Sequence, residues 1–148
     1  MIDNLYISGL PSTSDDLSQF DLIINCCEKW EEEATDITGR RFVTTPSLGI
    51  PDYGDVLPNT LEEQAERIAE AINAGKKVLV HCKSGEGRSA QVVVAALMKL
   101  QKITAEEGIK LVQKQRTRAL QLPNQIANLT NYEGVLNGRS SVTPSESS

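Results

Sequence analysis

The stretch Lys77-Val78-Leu79-Val80-His81-Cys82-Lys83-Ser84-Gly85-Glu86-Gly87-Arg88-Ser89-Ala90-Gln91-Val92-Val93-Val94 decides the fold of this chain. Its β-branched opening reads as a buried strand, its two glycines as a tight loop, and its second apolar run as a buried helix starting near Arg88. Cys82 falls where the strand ends, and open α/β sheets bind ligands at the carboxyl ends of their strands. Gly85 and Gly87 let the backbone curl, while the first turn of the helix leaves several N–H groups without partners. Together these make a cradle for an anion. The same donors favour a thiolate over a thiol, so Cys82 is expected to be ionised at neutral pH. Arg88 adds a planar fork of donors matched to two phosphoryl oxygens, which points to phosphate ester chemistry.

The pattern H-C-x-x-G-x-x-R-S, met by His81, Cys82, Gly85, Arg88 and Ser89, resembles the signature of the cysteine-dependent phosphatases, most of all their compact dual-specificity branch. The resemblance implies a two-step reaction in which Cys82 attacks phosphorus, a carboxylic acid protonates the leaving oxygen, and water hydrolyses the phosphocysteine. Lys83, Ser84, Gly85, Glu86, Gly87 and Arg88 would then bind the phosphate. Ser89 would steady the leaving thiolate, and His81 would have a structural hydrogen-bonding role beside the loop. Glu86 departs from the residue types usual at its position, and its carboxylate costs phosphate affinity unless it points outward or selects a cationic neighbour.

Three other readings fit parts of the same residues. Gly85-x-Gly87-x-x-Ala90 matches a dinucleotide-binding fingerprint, but the next segment looks helical where that unit needs a strand. A rhodanese-like sulfurtransferase also holds a cysteine in an anion cradle, with a loop of different spacing. A plain core cysteine would need neither the glycines, the arginine nor the helix start.

At 148 residues the chain suits one domain with one core. With 39% hydrophobic but only 4% aromatic residues, that core must be aliphatic. A net charge of −5 argues against a general nucleic-acid or anionic-membrane binder. Three cysteines, two adjacent and one in the loop, form neither a secreted disulfide framework nor a zinc-type spacing, so no metal or cofactor is expected and a reducing, cytoplasmic setting is. Neither a signal pattern nor a membrane span is expected, since the longest apolar run, Val92 to Met98, is too short to cross a bilayer.

Along the chain, Leu5-Tyr6-Ile7 reads as a first strand, with Ser12, Ser14 and Asp15 able to cap a brief helix. Phe20 to Cys27 is a buried parallel strand with Cys26 and Cys27 on opposite faces. Resemblance to family members that protect the nucleophile with a nearby thiol makes either cysteine a candidate redox partner of Cys82. Trp30 to Glu33 opens an acidic loop and Arg41 to Thr45 reads as a strand. Pro51-Asp52-x-Gly54, in an ordered loop thirty positions before Cys82, resembles the general-acid loop, which makes Asp52 the candidate acid with Asp55 behind it. Activity is expected to peak near pH 5 to 6.5, a rough range.

Asn59 to Ala74 reads as a helix capped by Asn59 with Glu62 or Thr60 with Glu63, stopped by Gly75, with Leu61, Ala65, Ile68 and Ile72 inward. Ala90 to Leu100 is apolar nearly all round and should be central. Thr104-Ala105-Glu106-Glu107 is a second capping box, opening a helix with Ile109 and Val112 inward. Its basic end, Lys110, Lys114, Arg116 and Arg118, reads as a helix-end charge complement or a docking patch for an acidic partner. Pro123 starts a last helix with Ile126, Leu129, Tyr132 and Val135 at helical spacing, and its Gln125 and Asn128 either are solvent-exposed, the favoured reading, or, as the resemblance implies for some relatives, help position the hydrolytic water.

The expected architecture is one α/β domain over residues 1–137, with a mostly parallel central sheet, helices on both faces and a phosphatase-like arrangement, followed by a disordered Ser-rich tail, 138–148. The chain leaves no room for the segment that deepens the pocket in the tyrosine-specific branch, so a shallow site accepting phosphoserine and phosphothreonine as well as phosphotyrosine is expected. Phosphorylated proteins are the expected partners, and the oligomeric state is open. The same chemistry on a phosphoinositide, a phosphoglycan or an RNA 5′ end is a second reading, and a phosphate-binding module with little turnover a third.

Overall fold

The computed structural model describes residues 2–9, 17–26 and 56–141. Strand β1 (Leu5–Ser8), β2 (Leu22–Asn25) and β3 (Val78–His81) form a parallel sheet in the order β1-β3-β2. The crossover from β2 to β3 carries helix α1 (Pro58–Asn73). After β3 come α2 (Arg88–Gln101), α3 (Ala105–Gln115) and α4 (Pro123–Ser141). The predicted strand Arg41 to Thr45 and the turn around Ser12, Ser14 and Asp15 lie outside the described residues.

β3 is central, and all four of its residues are buried, as a strand covered on both faces requires. Alternation divides its side chains. Val78 and Val80 join Leu5, Ile24 and the apolar faces of the four described helices in one core. Leu79 faces the other way, onto Ile23, Leu17 and Phe20, where the Phe20 ring meets Tyr6 edge-on at 5.2 Å. The described helices therefore cover one face of the sheet, and the opposite face is covered by the 17–20 turn.

Helix α1 starts differently from the sequence expectation. Pro58 takes the first helical position behind Leu57, and no side-chain cap forms at Asn59 or Thr60. Proline suits that position because its missing N–H would have no partner there anyway. Glu62 is thereby free to bond across the core, and it accepts from Lys99 at 3.0 Å through both oxygens and from the Tyr132 hydroxyl at 2.7 Å. The stop is as expected. Gly75 adopts φ +79° and its N–H reaches Ile72 O at 2.9 Å, while Lys76 N–H reaches Ala71 O at 3.0 Å, closing a Schellman motif.

Helix α2 is buried from Arg88 to Met98, which fixes it as the central helix. The capping box of α3 is present: Glu107 N–H donates to Thr104 Oγ1 at 3.2 Å and Thr104 N–H to Glu107 Oε1 at 3.0 Å. Hydrogen bonds from the Thr104 main chain and side chain hold the Glu107 carboxyl below its ordinary range. In α4 the inward face is not the predicted one. Leu129 and Tyr132 are buried, but Ile126 and Val135 stay 42% and 38% exposed, and Gln125 turns inward instead. The helix also runs to Ser141, four residues past the boundary placed before the tail, because a glycine at 138 weakens a helix without ending it.

Candidate active site

The parallel register aligns Ser8, His81 and Asn25, so the chain leaves all three strands at one edge. Cys82 N–H reaches Ser8 O at 3.4 Å and Cys26 N–H reaches His81 O at 2.9 Å, carrying the pairing one step beyond β3. Cys82 is thus held by the sheet itself and only 1% exposed.

From there the chain folds back around the sulfur. Gly85 takes φ +75°, and a Cβ placed on it would sit 2.6 Å from the Ser8 carbonyl carbon, so both its conformation and its packing demand glycine. The turn points Gly85 N–H at Cys82 Sγ, 3.3 Å away, and Ser89 Oγ lies 3.1 Å from the same sulfur. Ser84 Oγ accepts from Glu86 N–H at 3.3 Å, bracing the loop locally. Gly87 is the N-cap of α2 and supplies no side-chain cap, and no acidic residue lies in the first turn. The positive end of this helix is therefore left for a ligand to complement.

Arg88, at the first position of α2, is only 2% exposed. It lines a cavity of about 480 Å³ together with Lys83, Ser84, Glu86 and Gly87 of the loop and Gln91, Arg118, Gln121, Leu122 and Gln125. Loop, buried guanidinium and helix start line one concavity whose donors suit a tetrahedral dianion, and the loop that lines it also wraps the buried Cys82 sulfur, which accepts from Gly85 N–H. Glu86 lines the same cavity with its carboxylate 3.9 Å from Arg118 Nε.

His81 is fully buried, and its pKa is lowered to about 4, chiefly by burial, with the Arg88 charge adding to the effect and the Cys82 main chain partly offsetting it. The ring is neutral at pH 7. Among the described residues neither ring nitrogen has a well-aligned hydrogen bond, and the Cys82 main chain is the polar group that acts on the ring. Asp52, Asp55 and Cys27 lie outside the described residues. Cys26 is buried in the same core cluster as Cys82, and neither is in a disulfide.

Several residues of the site depart from the sequence expectation. Helix α3 ends at Gln115, so Arg116 and Arg118 lie beyond it rather than on it. Arg116 Nη2 donates to Ser84 O at 2.8 Å, and Arg118 reaches the cavity. Gln125, expected at the surface, is buried and lines the cavity, and Asn128 donates to Gln91 Oε1 at 3.0 Å, tying α4 to α2. The cluster of basic residues before Pro123 was the available signal, and only the backbone path shows which of them turn towards the loop.

Comparison with known proteins agrees with this geometry. The model of the dual specificity phosphatase catalytic domain matches residues 5–135. Protein 123R of Invertebrate iridescent virus 6, named as a tyrosine phosphatase, is 28% identical over 143 residues, 95% of each chain. Protein phosphatase Slingshot homolog 3 of Homo sapiens is 39% identical over 75 residues, half of this chain but 11% of that longer protein. Among solved structures, Tk-PTP in its G95A mutant form superposes with a TM-score of 0.76 at 26% identity, covering 93% of this chain and 94% of that one.

Proposed function

This chain belongs to the dual specificity phosphatase catalytic-domain family and is a cysteine-dependent phosphatase; from that premise we propose that it hydrolyses phosphomonoesters on proteins, with Cys82 as nucleophile. The observation that carries the assignment is the sulfur of Cys82 receiving Gly85 N–H at 3.3 Å and facing Ser89 Oγ at 3.1 Å, beside a buried Arg88 that lines the cavity.

In the first step the Cys82 thiolate forms a bond to phosphorus as the bond to the ester oxygen breaks, and Asp52 gives that oxygen its proton. Arg88 and the main-chain donors of residues 83–88 hold the equatorial oxygens, where charge gathers in the transition state. In the second step Asp52 takes a proton from water as it attacks phosphorus, and the sulfur leaves as a thiolate stabilised by a hydrogen bond from Ser89. Alcohol and inorganic phosphate are released.

Phosphoproteins are the favoured substrates because the viral relative and Slingshot homolog 3 are named as tyrosine and protein phosphatases. The nucleophile works only as a reduced thiol, which suits a cytoplasmic setting, and Cys26, buried in the same core cluster as Cys82, is a candidate redox partner. Among the described residues no helix is long and apolar enough to cross a membrane.

A panel of phosphotyrosine, phosphoserine and phosphothreonine peptides and phosphoinositide vesicles, with Cys82→Ser as a substrate trap, tests the reading. Turnover of both peptide classes is expected. Turnover confined to the lipid would replace the protein-phosphatase reading, and tight peptide binding without turnover would replace the enzyme by a binder. Asp52→Asn is expected to slow poor leaving groups far more than an activated aryl phosphate; the same behaviour from Asp55→Asn alone would move the acid to residue 55.

A further inference from the structure

The Ser84–Gly85 peptide has a hydrogen bond at each end. Its carbonyl oxygen accepts from Arg116 Nη2 at 2.8 Å, and its N–H donates to Cys82 Sγ at 3.3 Å. In a trans peptide the C=O and N–H bonds point in opposite directions, so holding one aims the other. A guanidinium on the oxygen also polarises the amide and makes its N–H a stronger donor to a negative sulfur. The next outward carbonyl is held in the same way: Leu120 N–H donates to Glu86 O at 2.8 Å, turning the Glu86–Gly87 peptide so that its N–H points away from Leu120, and Gly87 lines the cavity. Leu120 does this at φ +59°, a left-handed conformation costly for a branched side chain and retained here while the side chain is buried. Arg116 itself has a buried Nε with no partner among the described residues, so its side chain gives up hydration at one donor while keeping the contact to Ser84. Solvation of a helix end does not account for that placement.

We propose that Arg116 is a positioning residue that acts on Cys82 through the Ser84–Gly85 peptide, the 116–120 segment serving as an outer brace for the anion loop. The inference rests on the reading of Cys82 as the nucleophile. It predicts that losing the guanidinium weakens the hydrogen bond to sulfur and so shifts thiol ionisation towards higher pH.

Two readouts separate this inference from the functional reading: the pH dependence of Cys82 alkylation by iodoacetamide, followed by mass spectrometry, and the pH profile of kcat/KM on an aryl phosphate. Arg116→Met should move the alkylation midpoint up by about one pH unit, the scale of losing one hydrogen bond to a charged group, and move the acid limb of kcat/KM the same way. Arg116→Lys, which keeps the charge and a donor but not the fork, should recover part of the shift, and Lys114→Gln, a charge removed from the exposed side of α3, should give none. Should Arg116→Met fail to fold, the Lys variant carries the test with a smaller shift in the same direction. An unchanged midpoint in a folded variant, or an equal shift in Lys114→Gln, would overturn the proposal. A wild-type chain that alkylates normally yet never turns over aryl phosphate would overturn the functional reading, and the alkylation arm would still decide the role of Arg116.

Discussion

Tyr132 of α4 donates to Glu62 of α1 at 2.7 Å, and the same carboxylate receives Lys99 of α2 at 3.0 Å, so one side chain joins three helices at the back of the core. Tyr132 is fully buried and the Glu62 side chain is 12% exposed, so water compensates little for a missing partner. Tyr132→Phe should therefore lower stability by about 1–2 kcal/mol in urea denaturation, the usual effect of removing a buried hydrogen bond to a charged group. The kcat on aryl phosphate should stay unchanged, because the contact lies away from the loop.

Gly85→Ala should abolish turnover. The methyl would enter space held by the Ser8 main chain at 2.6 Å, and the backbone cannot relax out of φ +75° without withdrawing its N–H from Cys82 Sγ. Vanadate affinity and kcat should fall together, whereas a purely structural effect would lower the melting temperature and leave the kcat of the folded fraction intact.

Acid should destabilise the fold through His81. Its folded pKa is lowered from 6.5 to about 4, so between those values the unfolded chain binds a proton that the native chain refuses. Stability from this group is fully present above about pH 6.5 and is lost as pH falls towards 4, a total of about 3 kcal/mol. As the single histidine of the chain, it gives an unambiguous imidazole signal by NMR, which should not titrate until below about pH 5. His81→Gln should flatten the urea stability profile across that window.

Oxidation should distinguish Cys26 from Cys27. Asn25 pairs with His81 and Cys26 N–H donates to His81 O at 2.9 Å, so Cys26 follows β2 directly as Cys82 follows β3, and both are buried in one core cluster. Peroxide converts the Cys82 thiolate to a sulfenic acid, and attack by the Cys26 thiol would release water and form the disulfide. Peptide mapping after mild peroxide should find that bond, Cys26→Ser should drive Cys82 on to sulfinic acid, and Cys27→Ser should change neither outcome. Sulfinic acid at Cys82 with no disulfide in the wild type would contradict the assignment.

What is legible in the sequence follows from strong local constraints. The Lys77 to Val94 stretch carries strand, loop and central helix in order because glycine, β-branched residues and an all-round apolar helix each restrict the backbone in one way. The capping box at Thr104 and the stop at Gly75 are legible for the same reason. Glu62 misleads because its spacing from Asn59 fits a cap, while its partners Lys99 and Tyr132 are distant in sequence. Gln125 and Arg116 mislead because polarity alone says nothing about which polar side chains the tertiary path turns inward. In α4 the stronger apolar pattern loses to packing against the loop, where Gln125 lies against Gly87.

The central claim is a covalent bond between the Cys82 sulfur and phosphorus. Acid quenching during turnover of an aryl phosphate, followed by peptide mass spectrometry under acidic conditions, should find one phosphoryl group on the peptide carrying Cys82, absent in Cys82→Ser and depleted when the quench is delayed past substrate exhaustion. Turnover with no phosphorylated Cys82 peptide, or turnover that persists in Cys82→Ser, would contradict the account.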